Sequence, residues 1–212
     1  HEQHTDCYVA ASEAHRQALL TERNGPSPAA KWAVIPNGVD LDRFAHSLPR
    51  IKHRCVYISS PDRGLHWVLA CWPEIRFAYP DAELHVFYEV EQWLKNCQFL
   101  DSEAGHRAGY ISRKIAELAR HGVILRGALP PAELAQEILQ ADLLLYPCDP
   151  MNRFTEGFSV STLEGCAAGA VPVISDADAL GELYGKSGAV VIPRGEDREW
   201  TDRWLESVLL LL

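Results

Sequence analysis

The chain has 212 residues, 47% hydrophobic and 23% charged, a globular composition long enough for one large domain or two small ones. Its formal net charge of -9 excludes a generic nucleic-acid surface and an anionic-membrane patch, because both need clustered Lys and Arg. No run of about eighteen apolar residues occurs, so no transmembrane helix is expected, and six scattered cysteines without a CxxC pair read as the reduced thiols of a cytoplasmic protein.

In chain order, HEQHTDCYVAASEAHRQALL lacks both an initiator Met and a signal-peptide pattern, and suggests a fragment cut at both ends. A helix is expected over about 9–20. Residues 21–50 are rich in Pro, Gly and Asn and carry one short strand, AVIP, ending in an Asn-Gly turn, which reads as a connector. From residue 54 onward, short β-branched or aromatic runs alternate with helical periodicity. Strands are predicted at 55–59, 83–89, 123–127, 142–147, 170–175 and 188–193, with helices near 64–78, 106–120, 131–140, 159–168, 177–184 and from about 196. That pattern gives an α/β fold, a doubly wound, Rossmann-like parallel sheet of about six strands with helices on both faces.

Open parallel sheets bind ligands beyond the carboxyl ends of their strands. After the first main strand comes SSPDRGL, where Ser59, Ser60 and Arg63 precede a helix start and the cation can reach an anionic ligand. After the fourth comes YPCDPMNRFTEGFSVSTLEG, which ends in a glycine and small polar residues at a helix start. Backbone N–H groups there, at Gly157, Phe158 and Ser159, make a phosphate site without a lysine. A phosphate would repel Glu156 unless that carboxylate, an acceptor only, serves hydroxyls of the same ligand. Glu164 lies eight residues on, and at about 100° per residue it returns to within about 80° of the same helical direction. One diphosphate flanked by two polyols describes a nucleotide sugar. Glu156 also suits the plainer role of complementing a helix dipole, whereas a buried Glu164 needs a partner.

Four other signals do not hold. LGELYGKS has one residue too few between its glycines for a P-loop, and G-x-G-x-x-G is absent, which weighs against a dinucleotide oxidoreductase. The D-x-D of Asp176 and Asp178 is too short to carry a metal site, and the nine histidines show no pair at metal spacing.

E-G-F-S-V-S-T-L-E, Glu156 to Glu164, resembles the E-x7-E motif of the retaining glycosyltransferases of family four, which have the two-domain GT-B fold. IPNGVDLDRF (35–44), SSPDRGL, CWPEIRFAYPDAELHVFYE, LRGALPPAELAQEILQADLLLYP and EGCAAGAVPVISD resemble that family's donor domain in the expected order, over roughly residues 33–193. The resemblance implies a metal-independent transferase that uses no cofactor and takes its hexose from a UDP-, GDP- or ADP-sugar. It implies Arg63 on the donor diphosphate, in place of the usual Lys, with Glu156 on the sugar hydroxyls as the second catalytic group. Ser60, Gly157, Phe158, Ser159 and Thr162 would line the phosphates, Glu164 would hold the ribose, and the backbone near Leu129 would read the base edge. Two departures stand out: Ser59 and Ser60 replace a common Gly-Arg, and Glu89 stands where glycine is common.

The resemblance also divides the chain. Residues 1–34 are expected to be a helix, over 5–20, and linker from a missing N-terminal acceptor domain, 35–195 the donor domain, and 196–212 a helix that packs on the missing partner. That partner could also bring peripheral membrane attachment. The alternatives are a nucleotide-sugar epimerase or hydrolase of the same fold, and a non-catalytic nucleotide-sugar binding module.

Overall fold

In the computed structural model, residues 5–22, 25–27, 29–97, 103–148, 156–195 and 197–212 are described. Most of the long loop before Glu156, residues 149–155, lies outside them. Among the described residues there are two sheets. The small one pairs β1 (Tyr8–Ala10) with β2 (Trp32–Val34) in parallel, around α1 (Glu13–Thr21). The large one has six strands, β3 (Arg54–Tyr57), β4 (Glu83–Val86), β5 (Val123–Leu125), β6 (Leu143–Tyr146), β7 (Val171–Asp176) and β8 (Val190–Pro193). Their order is β5-β4-β3-β6-β7-β8, with every neighbouring pair parallel. The chain therefore winds outward from β3 to β5, crosses back, and winds the other way from β6, which puts the switch point between β3 and β6.

The central strands are apolar on both faces because helices cover both. All four residues of β6 are buried, as are three of the four in β3 and in β4. Helix α2 (Leu65–Ala78) buries Leu65, Val68, Leu69, Trp72 and Ile75 at helical spacing. Three more helices fill the crossovers: α3 (Val90–Cys97), α4 (Glu103–Leu118) and α5 (Pro131–Leu139). After β6 come α6 (Val160–Ala168) and α7 (Leu180–Tyr184), and α8 (Asp197–Leu211) closes the domain. Trp200, Trp204 and Val208, four apart, are fully buried on α8, and the Trp204 indole N–H donates to Val173 O at 3.4 Å. The face of α8 expected to await a missing partner is thus spent on this domain's own β7 and α2, and only its end exposes Leu210 and Leu211.

Several expectations are corrected. The opening is not a helix from residue 5 or 9: Tyr8–Ala10 is strand, and Ser12, extended, caps a helix that starts at Glu13. Val9 and Ala10 pair with Ala33 and Val34 of the strand predicted as AVIP, a tertiary contact that local periodicity does not carry. Helix α3 was not expected, and the strand predicted over 83–89 ends at Val86, three residues short of its expected end. The helix expected over 177–184 begins only at Leu180, because Asp178 takes a left-handed φ of 50° that no helix tolerates.

No helix among the described residues is long and apolar enough to cross a membrane. None of the six cysteines forms a disulfide.

Candidate functional site

The loops that leave β3 and β6 converge at the switch point on a cleft of about 460 Å³. The β3 loop enters it through the 3₁₀ turn Pro61–Arg63, which passes into α2 at Gly64 with φ 119°. A Cβ at Gly64 would run into the carbonyl of Pro147, so the glycine lets the turn lie directly against the end of β6. Arg63 is thereby delivered to the residues that follow β6.

There it meets Glu156, only 6% exposed. Arg63 Nη1 donates to Glu156 Oε2 at 2.8 Å, and the Tyr146 hydroxyl donates to the same oxygen at 2.5 Å. The other oxygen, Oε1, accepts from the backbone N–H of Phe158 at 3.2 Å and of Ser159 at 2.7 Å. Four donors therefore meet the four lone-pair sites of one carboxylate. The backbone of Glu156 is fixed as well, since its N–H donates to Asp178 Oδ2 at 2.9 Å and its carbonyl accepts from Ala179 N at 3.2 Å. Asp178, half of the discounted D-x-D, holds this loop. Among the described residues no cluster of side chains could hold a metal ion.

Burial works against the Arg63 charge, but the Tyr146 hydroxyl and the Glu156 carboxylate outweigh it and hold the guanidinium above its ordinary value. Burial, then the neighbouring Cys148 and Glu156, raise the Tyr146 phenol well above its usual range, so it stays a proton donor. The Cys148 thiol is pushed up to about 12, chiefly by burial, and is no nucleophile.

The N-terminus of α6 forms the cleft floor. Ser159 sits at φ 68°, unusual for a residue with a side chain, and is held by the Tyr184 hydroxyl on its carbonyl at 2.8 Å. Its Oγ accepts from Thr162 N at 3.3 Å as the helix cap and pairs with Thr162 Oγ1 at 2.8 Å. Arg63, Glu156, Gly157, Phe158 and Ser159 thus share one cleft. Thr162 lies fully buried beneath it. Ser60 is turned into the 3₁₀ turn, where its carbonyl accepts from the Tyr57 hydroxyl at 2.7 Å, and Ser59 lines the cleft instead. Glu164 and Leu129 lie outside this cleft. Glu164, 14% exposed at its side chain, pairs with Arg43 at 3.4 Å; burial raises its carboxyl and Arg43 works in the opposite direction. Leu129 packs partly buried against the core, just before α5.

Sequence reasoning missed Tyr146, hidden as the last letter of the apolar run LLLY. It also missed His15 and Asn37, which reach the cleft from the N-terminal segment. That segment is tied down from both ends of α1's first turn. The Ser12 hydroxyl donates to Gly157 O at 2.8 Å, and the N–H groups of Glu13 and Ala14 each donate to the Glu182 carboxylate at 2.9 Å. A Cβ at Gly157 would come within 3.2 Å of the His15 ring, a tight contact that the glycine avoids.

Six parallel strands in this order, with an anion-type site at the switch point, are the doubly wound fold of one half of a GT-B structure. The chain belongs to the glycosyl transferases group 1 family, whose model matches residues 52–208. No curated protein matches the chain in sequence. Among solved structures, the pneumococcal O-GlcNAc transferase GtfA, in complex with UDP and GlcNAc, is similar over 98% of this chain and 38% of its own, at 14% identity and a TM-score of 0.68. S. aureus TarM, in complex with fondaparinux, alpha-GlcNAc-glycerol and UDP, is similar over 99% and 38%, at 16% identity and 0.68. The E. coli trehalose-6-phosphate protein bound with UDP-2-fluoro glucose is similar over 96% and 53%, at 17% identity and 0.61. The chain therefore spans roughly two fifths to one half of the length of these proteins.

Proposed function

We propose that this chain is the donor-binding half of a retaining, metal-independent glycosyltransferase that moves a hexose from a nucleoside diphosphate sugar to an acceptor. The observation that carries the reading is the Glu156 carboxylate saturated by Arg63, Tyr146 and two N–H groups at the α6 N-terminus. That cluster holds one mobile cation in place for exchange. Arg63 is half-buried and its side chain 34% exposed, whereas Tyr146 and the two amides are buried. An arriving diphosphate draws Arg63 away as a bidentate partner. The exchange opens one lone pair on Glu156 Oε2, which then accepts a hydroxyl of the donor sugar. When the sugar leaves, the charge that develops on the diphosphate is met by Arg63 and by the Phe158 and Ser159 amides, which the phosphate takes over from Glu156 Oε1, with no metal required of this half. Glu164 takes the ribose by giving up part of its contact with Arg43.

One feature supports residues 1–34 as a segment shared with an N-terminal acceptor domain. Parallel sheets are ordinarily covered on both faces, yet the two-stranded β1–β2 sheet leaves Val9, Val34 and Ile35 between 41% and 58% exposed around it. Residues 35–195 form the donor domain, and 196–212 the helix that seals it.

Calorimetric titration with nucleoside diphosphates and their sugar conjugates, with and without magnesium, tests the reading. Binding of one series without metal is expected. Arg63→Ala should weaken both diphosphate and conjugate, while Glu156→Gln should weaken the conjugate far more than the diphosphate. Equal losses for both ligands in Glu156→Gln would refute the sugar role, and binding that needs magnesium would refute metal independence.

A further inference from the structure

Beside the cleft, the loops that leave β4 and β5 enclose a second groove of about 330 Å³, lined by Tyr88, Glu89, Gln92, Trp93, Asn96 and Ala128. Strands lie about 4.8 Å apart, so the β4/β5 boundary stands about 10 Å from the β3/β6 switch point. A ribose bridges a span of that order between its 5′-phosphate and its base. Tyr88 and Trp93 are half-buried and rigidly packed against the core, which gives the groove aromatic surface on which a flat ring can lie.

Its polar group is Glu89. The carboxylate Oε1 accepts from Ala128 N at 3.1 Å, across the gap between the two loops. Gly127, at φ 71°, turns the backbone so that this N–H faces the carboxylate. Glu89 is also the residue before α3, and Trp93 N donates to its carbonyl at 3.0 Å. A plain helix-capping role would aim the side chain at α3's own N–H groups, but its hydrogen bond goes to the other loop instead. The carboxylate is thereby held by one hydrogen bond on Oε1, and an ionised carboxylate can only accept, so its remaining capacity suits donors.

We propose that this groove holds the nucleobase of the donor and that Glu89 selects guanine, which makes the donor a guanosine diphosphate sugar; the inference rests on the donor-binding reading above. Guanine presents N1–H and N2–H2 side by side, two donors that match two carboxylate oxygens. Uracil presents one donor, N3–H, between two carbonyl oxygens, each of which a carboxylate repels. Adenine offers its amino group beside the unprotonated N1, so one of its two contacts is repulsive. Glu89 thus both attracts guanine and rejects the other two, and specificity needs both effects. This choice differs from the UDP that GtfA and TarM hold in their complexes.

The test is competitive titration of the chain with GDP, UDP and ADP, repeated on Glu89→Gln and Glu89→Ala. A bidentate base contact discriminates by roughly 10- to 100-fold, so GDP should bind that much more tightly than UDP. A Gln amide offers one donor and one acceptor, which suit uracil O4 and N3–H as well as guanine O6 and N1–H. Glu89→Gln should therefore erase the GDP preference, and Glu89→Ala should level it. The ratio of two ligands on one variant is insensitive to any loss of folded protein. UDP bound as tightly as GDP by the wild type, or a GDP preference unchanged in Glu89→Gln, overturns the assignment and leaves the donor reading standing. Failure of all three nucleotides to bind overturns both.

Discussion

Tyr146→Phe isolates the least expected member of the site. The substitution removes one hydroxyl and leaves the ring, 1% exposed, in place. The lost contact is a 2.5 Å hydrogen bond to a carboxylate that is itself 6% exposed. Hydrogen bonds to charged groups contribute about 1.5–3 kcal/mol net. Glu156 keeps three donors, from Arg63, Phe158 N and Ser159 N, so its charge is not orphaned, and the low end of that range, about 1.5–2 kcal/mol, is expected. For a chain of this size that is a fall in Tm of roughly 3–8 °C. Urea unfolding should show a lower midpoint with the slope unchanged, because the surface exposed on unfolding is the same. In a double-mutant cycle with Arg63→Ala the two losses should not add, since both act through Glu156 Oε2; a coupling of at least about 0.5 kcal/mol is expected. An unchanged midpoint, or strictly additive losses, would refute the saturated carboxylate as the organising group of the site.

Three further outcomes follow from the same geometry. Gly64→Ala combines a left-handed φ of 119° with a collision at Pro147 O, and should cost at least about 1–3 kcal/mol in urea unfolding and weaken diphosphate binding with it, because Arg63 is the preceding residue. Ser12→Ala removes both the cap on His15 N and the bond to Gly157 O, and should cost about 1–2 kcal/mol, with Ser12→Thr recovering most of the loss. Burial raises the Glu164 carboxyl in the folded chain, so its contribution to stability is present below the ordinary carboxylate pKa and is lost as pH rises through the raised value. Glu164→Gln should abolish that step, and the difference in urea midpoint between variant and wild type should grow as pH rises through this window; a pH-independent difference would sink the reasoning.

Much of the fold was legible because strands covered by helices leave short apolar runs, continuous in Leu143–Tyr146 and interrupted by His85 in Glu83–Val86. What was illegible has a physical cause in each case. β1 exists because Tyr8 to Ala10 find a partner some 24 positions later, at Trp32 to Val34, and no window around residue 8 carries that information. Helix α3 buries only Val90 among its eight residues, and a segment that short, directly after Phe87 and Tyr88, is below the window over which helical periodicity can be told from a continuing strand. The late start of α7 depends on one left-handed Asp178, which the Glu156 N–H in turn stabilises.

At the site, residue types and spacing placed Arg63, Glu156 and the 157–159 amides in one neighbourhood, and chemistry assigned the amides to a phosphate. In the folded chain the same amides already hold an anion, the Glu156 carboxylate. The two statements are compatible only if the internal anion serves as a placeholder. A helix N-terminus with two buried, unmet N–H groups would cost about 1–3 kcal/mol for each, and a carboxylate two or three residues upstream removes that cost while no ligand is present. The spacing E-G-F-S is what allows it: Gly157 removes the side chain that would meet His15, and left-handed Ser159 turns the chain so that consecutive N–H groups face back toward Glu156. A glutamate at this position is therefore required twice, once to complete the empty site and once, after Arg63 has moved to the diphosphate, to receive the sugar. Glutamine meets neither requirement fully, because its NH2 group would oppose either the two amides or the Arg63 and Tyr146 donors, so the ligand-free stability and the sugar discrimination of Glu156→Gln should fall together.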